Sequence, residues 1–158
     1  MIHIYYGMGT GKTTAAIGRG MRAKGAGKSV FLVQFMKDNK SNELKTIPFD
    51  IFEAPDSLPF NPGEEYLEWV ENAYKAIMQS ECDIIILDEL LDVIPKFIPV
   101  DDAVWTVRSL SVDEGKEVII TGHKEIEKLF AVADYITHFE KIKHPYDRGV
   151  QAREGIEY

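Results

Sequence analysis

Three alternating glycines, Gly7, Gly9 and Gly11, stand directly before Lys12-Thr13-Thr14. Those residue types in that order suit the holding of a polyphosphate. Glycine opens backbone conformations closed to residues with a Cβ, so successive N–H groups can turn toward one anion. Lys12 adds a mobile point charge. The Thr13 hydroxyl is placed to reach a Mg²⁺ that bridges phosphates. The candidate nucleotide contacts are therefore Gly7, Met8, Gly9, Thr10, Gly11, Lys12, Thr13 and Thr14. The usual spacing is G-x-x-x-x-G-K-[ST], whose first glycine would fall on Tyr6; here it is Gly7 instead. A glycine-rich turn that binds nothing is the plain alternative. The apolar run Ile2–Tyr6 before the loop and the helix-compatible Ala15-Ala16-Ile17 after it argue for the phosphate cradle.

A second constellation lies further on. Ile84-Ile85-Ile86-Leu87 reads as a short buried strand, closed by Asp88-Glu89. Asp88 would orient Mg²⁺, directly or through water, and Glu89 would polarise a water or help hold the metal. An acidic pair in the first turn of a helix is a common arrangement with no ligand at all; the Lys-Thr loop upstream gives it meaning. Thr121 ends another strand, where its hydroxyl would face phosphates or satisfy backbone groups. His123 follows it in a loop, where solvation is its plain reading. Lys141, Lys143, His144, Arg148 and Arg153 make the tail basic, either as a solvated face or as a tail folded toward an anionic substrate.

The elements that must position these groups alternate. Ile2–Tyr6, Val30–Met36, Phe49–Phe52, Ile84–Leu87, Glu117–Thr121 and Tyr135–Phe139 read as strands. The continuous apolar run at Val30–Met36 predicts a strand covered on both faces. Helices are expected from the loop to about Lys24, from Glu64 to about Ser80, over Leu90–Ile94, and from a cap at Asp101 to about Leu110. Ile126, Leu129, Phe130 and Ala133 have the spacing of one more helix face. The polar stretch 37–43 follows a strand's carboxyl end, where open α/β sheets bind ligands. The fold class is α/β, a mostly parallel sheet with helices on both faces.

The 158 residues make one domain, 1–158, able to bury a core; 45% hydrophobic and 28% charged content suits a soluble protein. A net charge of −8 speaks against nucleic acid as a partner. No stretch reaches the roughly 20 apolar residues of a membrane helix. The chain enters a strand without a signal peptide, and its single cysteine, Cys82, fits a reducing compartment, so the cytoplasm is expected. Cys82 itself reads as packing. To this point the residues describe a Mg²⁺–nucleoside triphosphate protein without naming a reaction.

The run from Ile2 to Gly18 resembles the opening of the P-loop ATP:corrinoid adenosyltransferases, which share the shortened G-x-G-x-G-K-[ST] loop. Val33-Gln34-Phe35-Met36-Lys37 is similar to that family's second-strand motif and Ile86-Leu87-Asp88-Glu89-Leu90 to its acidic strand end. Thr121-Gly122, Ala133-Asp134, Lys143-His144-Pro145-Tyr146 and Gly155-Ile156-Glu157-Tyr158 follow in the family's order. The likeness covers roughly residues 1–43, 82–94 and 116–158. It implies a P-loop NTPase (RecA-like) fold, ATP as cosubstrate, a corrinoid as substrate, and a homodimer. It implies a reaction in which Co(I) attacks the 5′ carbon of ATP and triphosphate leaves. Lys12, Thr13 and Glu89 would then be catalytic, with Thr13, Asp88 and Glu89 on the metal. Lys37 and Thr121 would join the ATP contacts, with a corrinoid-side contact the alternative for Lys37; Phe60, Lys143 and His144 would meet the corrinoid. The chain departs from the pattern in places. Thr10 stands where the family has lysine, His123 where it has arginine, and Thr137-His138-Phe139 near its Thr-Glu-Met. Leu58-Pro59-Phe60 replaces an aromatic Phe-x-Trp stretch, Asn42 precedes Glu43 in place of glycine, and the family's N-terminal extension has no counterpart. These departures motivate an alternative, an ATPase or nucleotide-binding regulator of the same family without corrinoid activity. A small-molecule kinase is a further reading, with the stretch 37–63 as its substrate loop.

Overall fold

Strands rich in Ile and Val, apolar on both sides, need cover on both faces, and a sheet fed by crossover helices supplies it. A computed structural model, describing residues 1–38, 40–59 and 61–156, has that architecture. Among the described residues, six strands form one sheet: β1 (Ile2–Tyr6), β2 (Val30–Gln34), β3 (Asp50–Phe52), β4 (Ile84–Asp88), β5 (Glu117–Gly122) and β6 (Tyr135–His138). Their order is β3-β2-β4-β5-β1-β6, and every pairing is parallel. The helices are α1 (Lys12–Gly25), α2 (Leu67–Gln79), α3 (Leu90–Val93), α4 (Val100–Arg108) and α5 (Glu127–Phe130).

Alternation along the strands divides the core in two. Ile84 and Ile86 join Tyr5, Leu32 and Ile119 on the face covered by α1 through Ala16. Ile85 and Leu87 join Ile4, Val33, Phe35 and Ile120 on the other face, covered by Val70, Ala73 and Ile77 of α2 and by Ala103 and Val107 of α4. Helices on both faces are thus as expected. Trp69 stacks on Tyr66 and meets Phe35 edge-on and Phe52 at a tilt. Cys82 is buried and unbridged. Among the described residues, no helix is long and apolar enough to cross a membrane.

The register fixes where chemistry can occur. Tyr6 lies opposite both Gly122 and His138, and Gln34 lies opposite Asp88, so the carboxyl ends of five strands open on one edge. The chain leaves β1 in one direction to make β2 and returns through β4 and β5. The crevice at that reversal is where open α/β sheets seat ligands.

Several boundaries differ from expectation, each for a local reason. β2 stops at Gln34 because Met36 takes a left-handed conformation, φ 55°. Asp101 does not cap α4: Pro99, extended at φ −56° and ψ 141°, leads directly into Val100. Asp101 sits instead in the first turn, where a carboxylate suits the helix dipole, and pairs with Lys128 at 2.6 Å. The expected face reaching Ala133 shrinks to one turn, Glu127–Phe130. Beyond it Asp134 clamps Ile2: its carboxylate accepts the Ile2 N–H at 2.7 Å and its own N–H donates to the Ile2 carbonyl at 2.9 Å. That clamp turns the chain into β6. Glu64–Tyr66 is a 3₁₀ turn leading into α2.

Ile86 is fully buried in a central strand, whereas Ile136 on β6 is 46% exposed. Ile86→Ala is expected to destabilise by about 2–5 kcal/mol and Ile136→Ala by less than about 1 kcal/mol. Urea unfolding at unchanged slope measures both; equal effects would contradict this layering.

Candidate functional site

The loop between β1 and α1 rests on the far end of the chain. Gly7 has φ +112° and donates its N–H to the Gly122 carbonyl at 3.2 Å. Gly9 donates to the Phe139 carbonyl at 2.6 Å. A Cβ on Gly9 would lie 2.7 Å from that same oxygen and 2.8 Å from the Glu140 carbonyl, both backbone atoms. Glycine is therefore required by close approach of two backbones as well as by any ligand. These two amides serve neighbouring carbonyls, in contrast to the expected set of inward-turned N–H groups. Met8 and Thr10 are exposed at the loop's outer side, and Thr14 is exposed in the first turn of α1. Lys12, the first residue of α1, is buried and donates its ammonium to the Gly9 carbonyl at 3.0 Å. Burial holds its pKa below the ordinary lysine value, against the opposing pull of the carboxylates of Glu89, Asp92 and Asp88.

Asp88, at the end of β4, is fully buried and gathers four side chains. Its Oδ1 accepts the Thr13 hydroxyl at 2.9 Å and the Thr121 hydroxyl at 2.7 Å. Its Oδ2 accepts Gln34 Nε2 at 3.2 Å and the Lys37 ammonium at 2.7 Å. Lys37 also donates to Thr13 Oγ1 at 3.2 Å. Thr121 Oγ1 accepts the Glu89 N–H at 2.8 Å, so this one hydroxyl braces two consecutive acidic residues. Gln34 uses its other amide hydrogen on Glu43 at 3.2 Å, and its Oε1 is buried with no partner among the described residues.

Glu89 follows in the left-handed region, φ 60°, a conformation that costs a residue with a Cβ about 1–2 kcal/mol. The turn points its carboxylate at His123, whose Nδ1 lies 3.3 Å from Glu89 Oε2 and 3.1 Å from Asp92 Oδ2. Asp92 also accepts the His123 backbone N–H at 2.9 Å. Hydrogen bonds to Asp92 and Glu89 raise the His123 imidazole to about 9. Burial pushes Glu89 above the usual carboxylate range. Burial acts on Asp92 the same way, but hydrogen bonds from His123 and Glu89 outweigh it and leave it at about 2. His123 is thus a cation at neutral pH, bridging two acids. Glu89, Asp92 and His123 present ligand atoms within 4.8 Å of one another. Beside them a cavity of about 340 Å³ opens between Tyr6, Met8, His123, His138, Glu140 and Lys141.

Of the residues singled out from sequence, Lys12, Thr13, Lys37, Asp88, Glu89 and Thr121 converge here. Lys143 is exposed, and His144 spends Nδ1 accepting the Tyr146 N–H, capping the turn Pro145–Arg148. Phe60 lies outside the described residues. Sequence reasoning passed over Gln34 and Asp92 and underrated His123. Gln34 was visible as the lone polar residue in Val30–Met36, and Asp92 as the acid one helical turn after Glu89.

The family model for ATP:corrinoid adenosyltransferases (BtuR/CobO/CobP) matches residues 1–158. A corrinoid adenosyltransferase of Escherichia coli K12 is 30% identical over 169 residues, covering 100% of this chain and 85% of that protein. The corrinoid adenosyltransferase CobA of Salmonella typhimurium is 30% identical over 170 residues with the same coverage. One from Sinorhizobium is 27% identical over 175 residues, covering 100% and 80%.

The His123 bridge carries a pH signature. Its imidazole rises from 6.5 to about 9 on folding, so its stabilisation is complete below 6.5 and is lost as pH climbs through 9. His123→Gln is expected to flatten the fall in thermal midpoint across that interval. Parallel curves for the two proteins, followed by calorimetry, would count against a charged His123.

Proposed function

The chain belongs to the ATP:corrinoid adenosyltransferase family, and on that premise we propose how its own residues move the 5′-deoxyadenosyl group of ATP onto the cobalt of a reduced corrinoid. The Co(I) electron pair attacks C5′, the C5′–O bond breaks, and its electrons leave on triphosphate. No proton is abstracted, so the protein's task is alignment and stabilisation of charge on the departing polyphosphate. The loop Gly7–Thr14 takes that polyphosphate. The Lys12 ammonium, held at the Gly9 carbonyl, exchanges that acceptor for a phosphate oxygen. A lysine already desolvated makes a stronger contact there than a hydrated one.

Thr13 Oγ1 and the Asp88 carboxylate are hard oxygen donors, and a cation, the Lys37 ammonium, already stands between them. The set therefore fits Mg²⁺. Thr13, Asp88 and Glu89 would hold the ion, which when bound neutralises charge on the triphosphate. Glu89 acts here by position. Fixed by Thr121 from its backbone and by His123 from its side chain, it is engaged by a cation and is not set to activate water, as an ATPase of this family would require. Thr121 serves by bracing Asp88 and Glu89, and Lys37 by contact with the polyphosphate.

The corrinoid side is assigned to Phe60, Lys143 and His144 on the family resemblance. Residues 1–158 act as one nucleotide-binding domain, assembled as a homodimer. The cytoplasm is the proposed compartment, with the free thiol of Cys82 in keeping. The observation that carries this reading is the convergence of Thr13, Lys37, Gln34 and Thr121 on one buried carboxylate beside the loop.

Mg-ATP and chemically reduced corrinoid, incubated in the dark, are expected to give a light-sensitive alkylcorrinoid and one triphosphate per turnover. Orthophosphate release independent of corrinoid would overturn the assignment. Lys12→Ala is expected to lower kcat/KM on the order of 10²-fold or more with an unchanged circular dichroism spectrum. Activity equal to wild type would remove the loop from the mechanism.

A further inference from the structure

Lys37 stands where a divalent cation would stand. Its ammonium is 2.7 Å from Asp88 Oδ2 and 3.2 Å from Thr13 Oγ1, the same two groups that offer hard oxygen to a metal. The contact is built, not incidental. Lys37 follows the left-handed turn at Met36, and the Met36 N–H is held at 3.1 Å by the hydroxyl of buried Tyr66. Gln34, two residues before that turn, shares Asp88 Oδ2 and ties the loop back to Glu43. The loop is therefore pinned so that its lysine reaches inward, while the side chain is still 25% exposed and has a path out.

A fully buried carboxylate needs a cationic or multiply hydrogen-bonded environment. Lys37 supplies the positive charge when no metal is present. A free divalent ion approaching Asp88 meets that ammonium within a few Å, in a medium where like charges repel far more strongly than in water. It can enter only if Lys37 withdraws, and withdrawal leaves the ammonium without an anion. A metal that arrives with a polyphosphate removes this difficulty, because the phosphate oxygens accept the displaced ammonium. One anion replaces another, and no charge is left unpaired.

We propose that Lys37 is an internal counter-ion that closes the metal position until a polyphosphate arrives, so that the site selects metal–nucleotide over free metal. The proposal rests on the reading of Thr13 and Asp88 as metal donors. Its consequence is an ordered preference, in which free divalent ion binds poorly and the metal–nucleotide complex binds well, set by a residue that need not touch the transferred group.

The test uses Mn²⁺ as probe and follows loss of its free-ion EPR signal on the full chain, first alone and then with ATP. Wild type is expected to bind Mn²⁺ weakly alone and tightly with ATP. Lys37→Gln keeps a hydrogen-bond donor for Asp88 but removes the charge. It is expected to bind free Mn²⁺ at least about tenfold more tightly than wild type, on the scale of one like charge removed from a few Å away. Lys37→Met should do the same where it folds; if it does not, Lys37→Gln decides. Lys37→Arg keeps the charge and should bind free Mn²⁺ as weakly as wild type. Equal free-Mn²⁺ affinity in wild type and Lys37→Gln, with ATP-dependent binding intact, overturns the counter-ion proposal alone. An equal gain in Lys37→Arg also overturns it. No ATP-dependent Mn²⁺ binding in wild type overturns the metal reading, and the proposal falls with it.

Discussion

One carboxylate, buried and fully engaged, organises this protein. Asp88 accepts from Thr13 at the start of α1, from Gln34 and Lys37 around the end of β2, and from Thr121 near the end of β5. A charge so deeply placed is costly unless every lone pair is used. Its partners come from three segments distant in sequence, so satisfying Asp88 and assembling the nucleotide edge are one event. The parallel register makes this possible by bringing β2, β4 and β5 to a common end. A sheet shifted by one residue would turn Asp88 toward the other face and leave the phosphate loop with no acid beneath it.

Charge around that carboxylate is laid out in alternating layers. Lys12 and Lys37 flank Asp88; Glu89 and Asp92 lie beyond; His123 closes the row as a cation. Each acid thus faces a base, and the row is compact enough for a change in one member to alter the rest. The left-handed turn at Glu89 is what permits it, since an ordinary helical φ there would direct the carboxylate elsewhere. Strain at such a position is tolerated because the Thr121 hydroxyl holds the Glu89 N–H from the neighbouring strand.

The loop and the acid were legible in the sequence because their chemistry is local. Glycine spacing, Lys12-Thr13 and an aliphatic strand ending in Asp88-Glu89 carry their meaning within a few residues. The strands were legible for the same reason. What could not be read depends on register between distant strands. Nothing near Gln34 announces that it will lie opposite Asp88. Nothing near His123 announces Asp92, which reaches it because Gly122 lets β5 run hard against Leu91 and Asp92. Helix ends were misread where a neighbour intervened, as Pro99 did before Asp101 and the Asp134–Ile2 clamp did after Phe130. The Nδ1 of His144, a residue assigned to the corrinoid by family resemblance, accepts the Tyr146 N–H, a contact set by the backbone of its own turn and not announced by residue type.

The position of β1 has a consequence for how the molecule comes into being. Of the six strands it comes first along the chain, yet both its neighbours, β5 and β6, come last among them. Its ladder joins Ile2 to Val118 and His3 to Tyr135, and the loop that follows leans on Phe139. On the ribosome the phosphate-binding segment must therefore wait, without its partner strands, until β5 and β6 have emerged. Contacts this long-range make for slow closure and for an apolar strand vulnerable to wrong partners meanwhile. Nucleotide binding would then wait on β5 and β6, and a chain truncated before β6 would lack the strand on which β1 and its loop are seated.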